Sequence, residues 1–199
     1  MTNKIAEFWR WFSLHEAEFL PDVPDEGVML TVNRKLQGLV TGLTAEMETN
    51  DQGKRTLVLS TGGNKKLIGL VLKMVSQAPK LKWWQVKALR QRKPGHVEIN
   101  LKGIRLSSDQ LFYQSKHHDR SLSIKVYGPQ IDPENDACEE ALKLLLQYLV
   151  GEYELISWIK EVKLIHFEWG ESRKEDLKPL IHLFNEVDKY GIYDSEFRN

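Results

Sequence analysis

The 199-residue sequence predicts an α+β fold, a largely antiparallel sheet with helices packed on it. Three observations carry that expectation. Alternating segments flank turn-forming residues at 50–53 and 117–120, as the strands of β-hairpins do. Apolar residues at helical spacing run between and around them. The order hairpin, helix, strand then occurs twice, over about 43–91 and 111–168, so one domain spanning 1–199 contains two candidate sub-units.

Residues 3–20 carry Ile5, Phe8, Trp9, Phe12 and Phe19 on a helical stripe, with Pro21 and Pro24 at its end. The stripe is expected to dock on the core; a groove for a partner helix is the alternative. Val28, Val32, Leu36 and Leu39 predict a second helix over 28–39. Residues 43–49 and 54–60 flank "NDQG" as the first hairpin. In "STGGNKK", 60–66, Gly62 and Gly63 are expected to turn a strand into a helix capped by Asn64. That helix carries Leu67, Leu70, Val71, Met74, Val75 and Ala78 and stops at Pro79. Residues 83–90 alternate as a strand, Lys93-Pro94-Gly95 turns, and 97–101 offers a short strand.

Residues 111–116 and 121–127 enclose "HHDR" as the second hairpin, with Leu122, Ile124 and Val126 on one buried face. His117 and His118 are read as solvated residues at its tip. At "DPEN", 132–135, Asp132 is expected to cap a helix, with Pro133 in its first position and Glu134 at the positive end of the dipole. Ala137, Cys138, Ala141, Leu142, Leu145, Tyr148 and Leu149 form its apolar face, and Gly151 stops it. A strand is expected over 162–168. The last helix is expected to start at Asp176 rather than at the Ser172/Glu175 capping box. That start puts Pro179 in the first turn and Gly191 at the end.

A hydrophobic fraction of 41% supports a packed core, and the single cysteine, Cys138, allows no internal disulfide. No apolar run approaches the length of a membrane-spanning helix, and the N-terminus lacks a signal-peptide pattern. A soluble cytoplasmic protein with no membrane contact is expected. Net charge is zero but uneven: residues 65–125 hold 14 basic and 3 acidic side chains, and 126–199 hold 8 and 16. Such segments attract one another within a fold or bind a polyanion.

Motifs for catalysis do not match. "STGGNKK" has adjacent glycines and no Ser or Thr after its lysines, so it is not a nucleotide-binding P-loop. What remains there is a turn, or a generic anion contact through Lys65 and Lys66. The six histidines show no i, i+4 pair, Cys138 lies among apolar positions, and no metal or cofactor is expected. The positive signal is "KLKWWQVKALRQRK", 80–93, where cations interleave with Trp83 and Trp84 as in polyanion-binding segments. In a regular strand Lys82, Trp84 and Arg90 share one face, and Trp83, Gln85, Lys87 and Leu89 the other. Only one of the two tryptophans is therefore free to stand on an exposed platform. The candidate ligand-binding residues are Lys65, Lys66, Lys82, Trp84, Lys87, Arg90 and Arg92.

The stretches "IAEFWRWF", "TLVLSTGGNKKLIGLV", "APKLKWWQVKALR" and "YLVGEYEL" together resemble a group of uncharacterised bacterial cytosolic proteins. Those share an aromatic N-terminal helix, a Gly-Asn step from strand to helix, Ala-Pro before a Trp-containing strand, and a Leu-x-Gly-Glu stretch. The resemblance implies a bacterial cytosolic α+β protein and brings no catalytic residues. The leading functional expectation is a non-catalytic module that binds another protein. The alternative is nucleic-acid or anionic-ligand binding through 80–93. A third reading is an enzyme with a site assembled between the two halves, around His166, Glu152 and Glu154.

Overall fold

Aromatic and aliphatic side chains three and four residues apart wind the N-terminus into α1 (Thr2–His15), which buries Ile5, Phe8, Trp9 and Phe12. This computed structural model describes residues 2–20, 26–49, 55–93, 95–167 and 177–195. Pro21, Pro24, "NDQG", Pro94, Glu168, Ser172, Glu175 and Asp176 lie outside them. The chain divides into two compact units, Met1–Arg90 and Gln91–Asn199. Each carries one of the two hairpin, helix, strand orders.

In the first unit α1 stops at His15, earlier than expected, and a short turn still leads Phe19 into the core. Helix α2 (Glu26–Leu39) buries Val32 and Leu36. Strands β1 (Thr44–Thr49) and β2 (Arg55–Ser60) pair antiparallel, with Thr44 opposite Ser60. On α2, the Asn33 side chain accepts the Ala45 N–H at 2.7 Å, covering the outer edge of β1. After β2 a 3-10 turn over Lys65–Leu67 leads into α3 (Ile68–Ser76). The chain then returns as β3 (Trp84–Ala88), parallel to β2 with Trp84 opposite Arg55. A parallel neighbour requires such a crossover, which gives the order β1-β2-β3. The Trp9 indole N–H donates to the Met74 carbonyl at 2.8 Å, fastening α1 to α3.

The strand expected over 83–90 is shorter because Leu89 sits at φ 62, a left-handed conformation costly for a branched side chain. Its N–H still reaches the Leu59 carbonyl at 2.7 Å. The twist breaks the alternation, so Leu89 and Arg90 are both buried instead of lying on opposite faces. This corrects the expected faces of the strand.

The second unit opens with a hairpin of which only the first strand is expected: β4 (Glu98–Leu101) and β5 (Ile104–Ser107). Lys102 and Gly103, both at positive φ, make its two-residue turn. Strands β6 (Phe112–His118) and β7 (Ser121–Gly128) form the second expected hairpin. It is tighter than expected: His117 and His118 belong to β6, opposite Leu122 and Ser121, so neither is a tip residue. Leu122, Ile124 and Val126 are buried on one face, as their spacing predicts.

Helix α4 (Asp136–Val150) is capped by Asn135, whose side chain accepts the Ala137 N–H at 2.9 Å. The expected cap, Asp132, instead accepts the Glu134 N–H at 3.1 Å and closes a turn before the helix, with Pro133 inside that turn. Gly151, at φ 99, ends α4 as expected, and a second helix, α5 (Glu152–Trp158), follows at once. The chain continues into β8 (Ile159–His166), parallel to β7. The last helix also differs from expectation. Lys178–Pro179 is a short strand, β9, paired with Phe112 and Tyr113. Helix α6 (Leu183–Ser195) starts after it and runs through Gly191. The sheet order is β8-β7-β6-β9, again an antiparallel hairpin extended by a parallel strand, here with the short antiparallel β9 on the other side. The core of this unit joins α4 residues such as Leu142 and Leu145 to Ile124, Val126, Leu183 and Val187. Among the described residues no helix is long and apolar enough to cross a membrane.

Candidate functional site

The loop at 60–64 can be read donor by donor. Gly62 and Gly63 adopt φ 60 and 87, and a Cβ on Gly62 would sit 3.3 Å from the Gly42 carbonyl oxygen. The Gly62 N–H donates to Ser60 Oγ at 3.0 Å and the Gly63 N–H to Thr61 Oγ1 at 3.2 Å. The Asn64 N–H donates to the Thr61 carbonyl, and the Lys66 N–H to Asn64 Oδ1 at 3.0 Å. An anion cradle needs such amides free and convergent. Here they close the turn and cap the 3-10 helix, leaving Lys65 and Lys66 exposed on its surface.

The segment 80–93 separates into inward and outward side chains. Trp84 is buried: its Nε1–H donates to the Glu16 carbonyl at 3.1 Å and its ring meets Phe12 edge-on at 6.1 Å. Arg90 is buried too, donating to Glu46 Oε1 through Nε at 2.7 Å and to Ser60 Oγ at 2.6 Å. Arg92, in the second unit, holds Asp188 at 2.9 and 2.5 Å and lies over the Phe184 ring. Lys82 and Lys87 are exposed. Lys65 and Lys66 follow the C-terminal end of β2, whereas Lys82 precedes the N-terminal end of β3. The parallel register separates these ends by about 16 Å, the rise of five strand residues. The seven candidates therefore do not form one surface.

Trp83 is the outward tryptophan, 45% exposed, with Lys82 Nζ 4.5 Å from its ring centroid. Its mount is firm. The Lys82 and Trp83 N–H groups both donate to the Glu16 carboxylate, at 3.4 and 3.3 Å, beside the indole bond of Trp84. Leu14, two residues before Glu16, is 74% exposed. Sequence reasoning identified the split between the tryptophans but named as a candidate the buried one, Trp84.

In the second unit, the residues of the enzymatic reading sit apart. Glu152 opens α5 and His166 closes β8. The strand alone spans about 23 Å from Ile159 to His166, and α5 folded fully back along it recovers only about 10 Å. Glu152 is buried, the Glu154 carboxylate folds over Gly151, and His166 Nδ1 contacts the Ile131 carbonyl at 2.9 Å.

A polar cluster does form elsewhere, from residues no motif marks. Tyr113, Ser115 and His117 alternate along β6 and so share a face, while Glu186 and Tyr190 are one turn apart on α6. Glu186 is buried and accepts from Tyr113 Oη at 3.1 Å and from Lys178 Nζ. His117 Nε2 lies 3.4 Å from its other carboxylate oxygen, and His117 Nδ1 lies 2.9 Å from Tyr190 Oη. Burial pushes the Glu186 carboxyl up, but hydrogen bonds from Lys178, Ser115 and Tyr113 outweigh it and hold it below the ordinary carboxylate value. Burial, then the Glu186 charge, pushes the Tyr113 phenol up. The cluster ties β9 and α6 to β6. No local sequence pattern marked it, because both faces of β6 are polar from Gln114 to His118. No family model, curated protein or solved structure matches the chain.

Proposed function

We propose that the chain is a non-catalytic binding module of the bacterial cytoplasm, whose partner is another protein engaged at the Trp83 corner of the first unit. The observation that carries this reading is an exposed tryptophan whose backbone N–H donates to the Glu16 carboxylate. An exposed Trp is the residue type that dominates protein interfaces. With 45% of its surface exposed, Trp83 offers a partner roughly 100 Å² of ring, about 2–3 kcal/mol of transfer free energy. Lys82 gives the corner a positive rim.

The test is affinity capture from the native host, comparing wild type with the Trp83→Ala variant. A stoichiometric partner held by the first and lost by the second is expected. The reading fails when no stoichiometric partner is captured, or when the variant, shown to be folded, retains it. One observation favours a second reading, nucleic-acid or anionic-ligand binding: Lys82 lies over an exposed ring with Lys87 nearby in the chain. Fluorescence anisotropy with single-stranded RNA and DNA decides it. Affinity unmeasurable at low salt, or unchanged as salt rises, removes that alternative.

A further inference from the structure

We propose that the groove between α1 and α2 is a binding site for a small amphipathic anion, a carboxylate on an apolar tail. The groove encloses about 310 Å³, within the range of small-molecule sites, and its walls include Phe8, Trp11 and Leu39 with Lys4, Arg34 and Lys35 at the rim. Lys4, Phe8 and Trp11 follow one another along one face of α1. A second cleft of about 170 Å³ adjoins the first through Lys4 and Leu39 and is walled by Ile5, Val40, Leu70 and Met74. Exposed cations beside the half-buried Trp11, Leu39, Val40 and Leu70 match a charged head and an apolar tail.

Two features separate this groove from an ordinary helix surface. The first is Gly38, the next-to-last residue of α2. A Cβ there would meet nothing within 4 Å, so this part of the groove is exposed backbone with room for a ligand. The second is charge. Three cations line the groove against one acid, Glu7. Lys4 and Arg34 make no side-chain hydrogen bond or ion pair with any described residue, and Lys35 Nζ rests 5.2 Å from the Trp11 ring centroid. The protein supplies this rim with little counter-charge, and an anionic head supplies it instead. Exposed cations contribute modestly one by one. An apolar tail, removed from water against the half-buried Trp11, Leu39, Val40 and Leu70, adds to them.

The site is independent of the Trp83 corner, and the experiment keeps the two apart. The full chain is titrated by calorimetry with decanoate below its micellar concentration, with decyltrimethylammonium, and with phosphatidylglycerol vesicles. Decanoate is expected to saturate one site and to bind at least about tenfold more tightly than the cationic amphiphile. Gly38→Leu fills the groove at a helical position with open space. It is expected to fold normally and to weaken decanoate by about tenfold or more. Arg34→Glu/Lys35→Glu, at two exposed positions, is expected to narrow or reverse the preference for the anion. Trp83→Ala should leave decanoate binding unchanged, so loss of a protein partner in that variant says nothing against the groove. The proposal is overturned by equal binding of the two amphiphiles, by decanoate binding untouched in folded Gly38→Leu, or by absence of saturable binding. Vesicle association without monomer binding also overturns it, in favour of a membrane surface. Should Gly38→Leu fail to fold, the Arg34→Glu/Lys35→Glu variant decides.

Discussion

Replacing Glu186 by Gln tests whether the buried carboxylate fastens α6 to the sheet by its charge or only by its shape. Gln keeps the size of the side chain and one carbonyl acceptor, so the bonds from Tyr113 and Lys178 persist in weaker form. A hydrogen bond to a charged acceptor contributes about 1.5–3 kcal/mol and a neutral one about 1. Lys178 is 55% exposed, which takes its share to the bottom of that range. The two weakened bonds together predict a loss of about 1–2 kcal/mol, or roughly 0.5–1 M in the urea midpoint. The effect is linked to pH. The folded state holds Glu186 below its ordinary value of 4.5, so the stability from its charge is present above the unfolded carboxyl's pKa and lost as pH falls through the folded one. The advantage of wild type over Glu186→Gln should therefore be full at pH 7 and close on acidification below about 4. Because the chain forms two units, a global melt can blend two transitions. Hydrogen exchange of the β6 and α6 amides in urea, from pH 7 to 3, reads the second unit directly. A wild-type advantage that stays constant across that range, or grows in acid, refutes the electrostatic account.

The cap of α4 gives a second check. Asn135→Ala should cost about 1 kcal/mol in chemical denaturation, and Asp132→Ala less, because the helix amide is held by Asn135; the reverse order would reinstate Asp132 as the cap. Arg90→Lys should destabilise the first unit by about 1–3 kcal/mol by hydrogen exchange of β1 and β2, since a lysine cannot reproduce the two-direction grip on Glu46 and Ser60. Full stability in that variant would mean that Arg90 is a free surface cation after all.

Legibility in the sequence followed the range of the interaction. The stripe of Ile5, Phe8, Trp9 and Phe12 and the face of Leu122, Ile124 and Val126 were readable because burial repeats with the period of the backbone. The Gly62-Gly63-Asn64 step was readable because its hydrogen bonds close within a few residues. Asp132 and Asn135 are both competent caps three residues apart, and local chemistry did not rank them. The β4–β5 turn was hidden by a lysine at a position where Asn or Asp is the usual sign.

By itself, then, the amino-acid order determined the mixed architecture, the doubled arrangement of hairpin, helix and strand, and the division of labour between adjacent tryptophans. Tertiary structure alone decided which tryptophan faces water, where Arg90 and Arg92 spend their charge, and that Tyr113 meets Glu186 across 73 residues. The physical reason is that periodicity and capping are properties of neighbours along the chain. A charge takes its partner from whatever the packing of distant segments brings within about 4 Å.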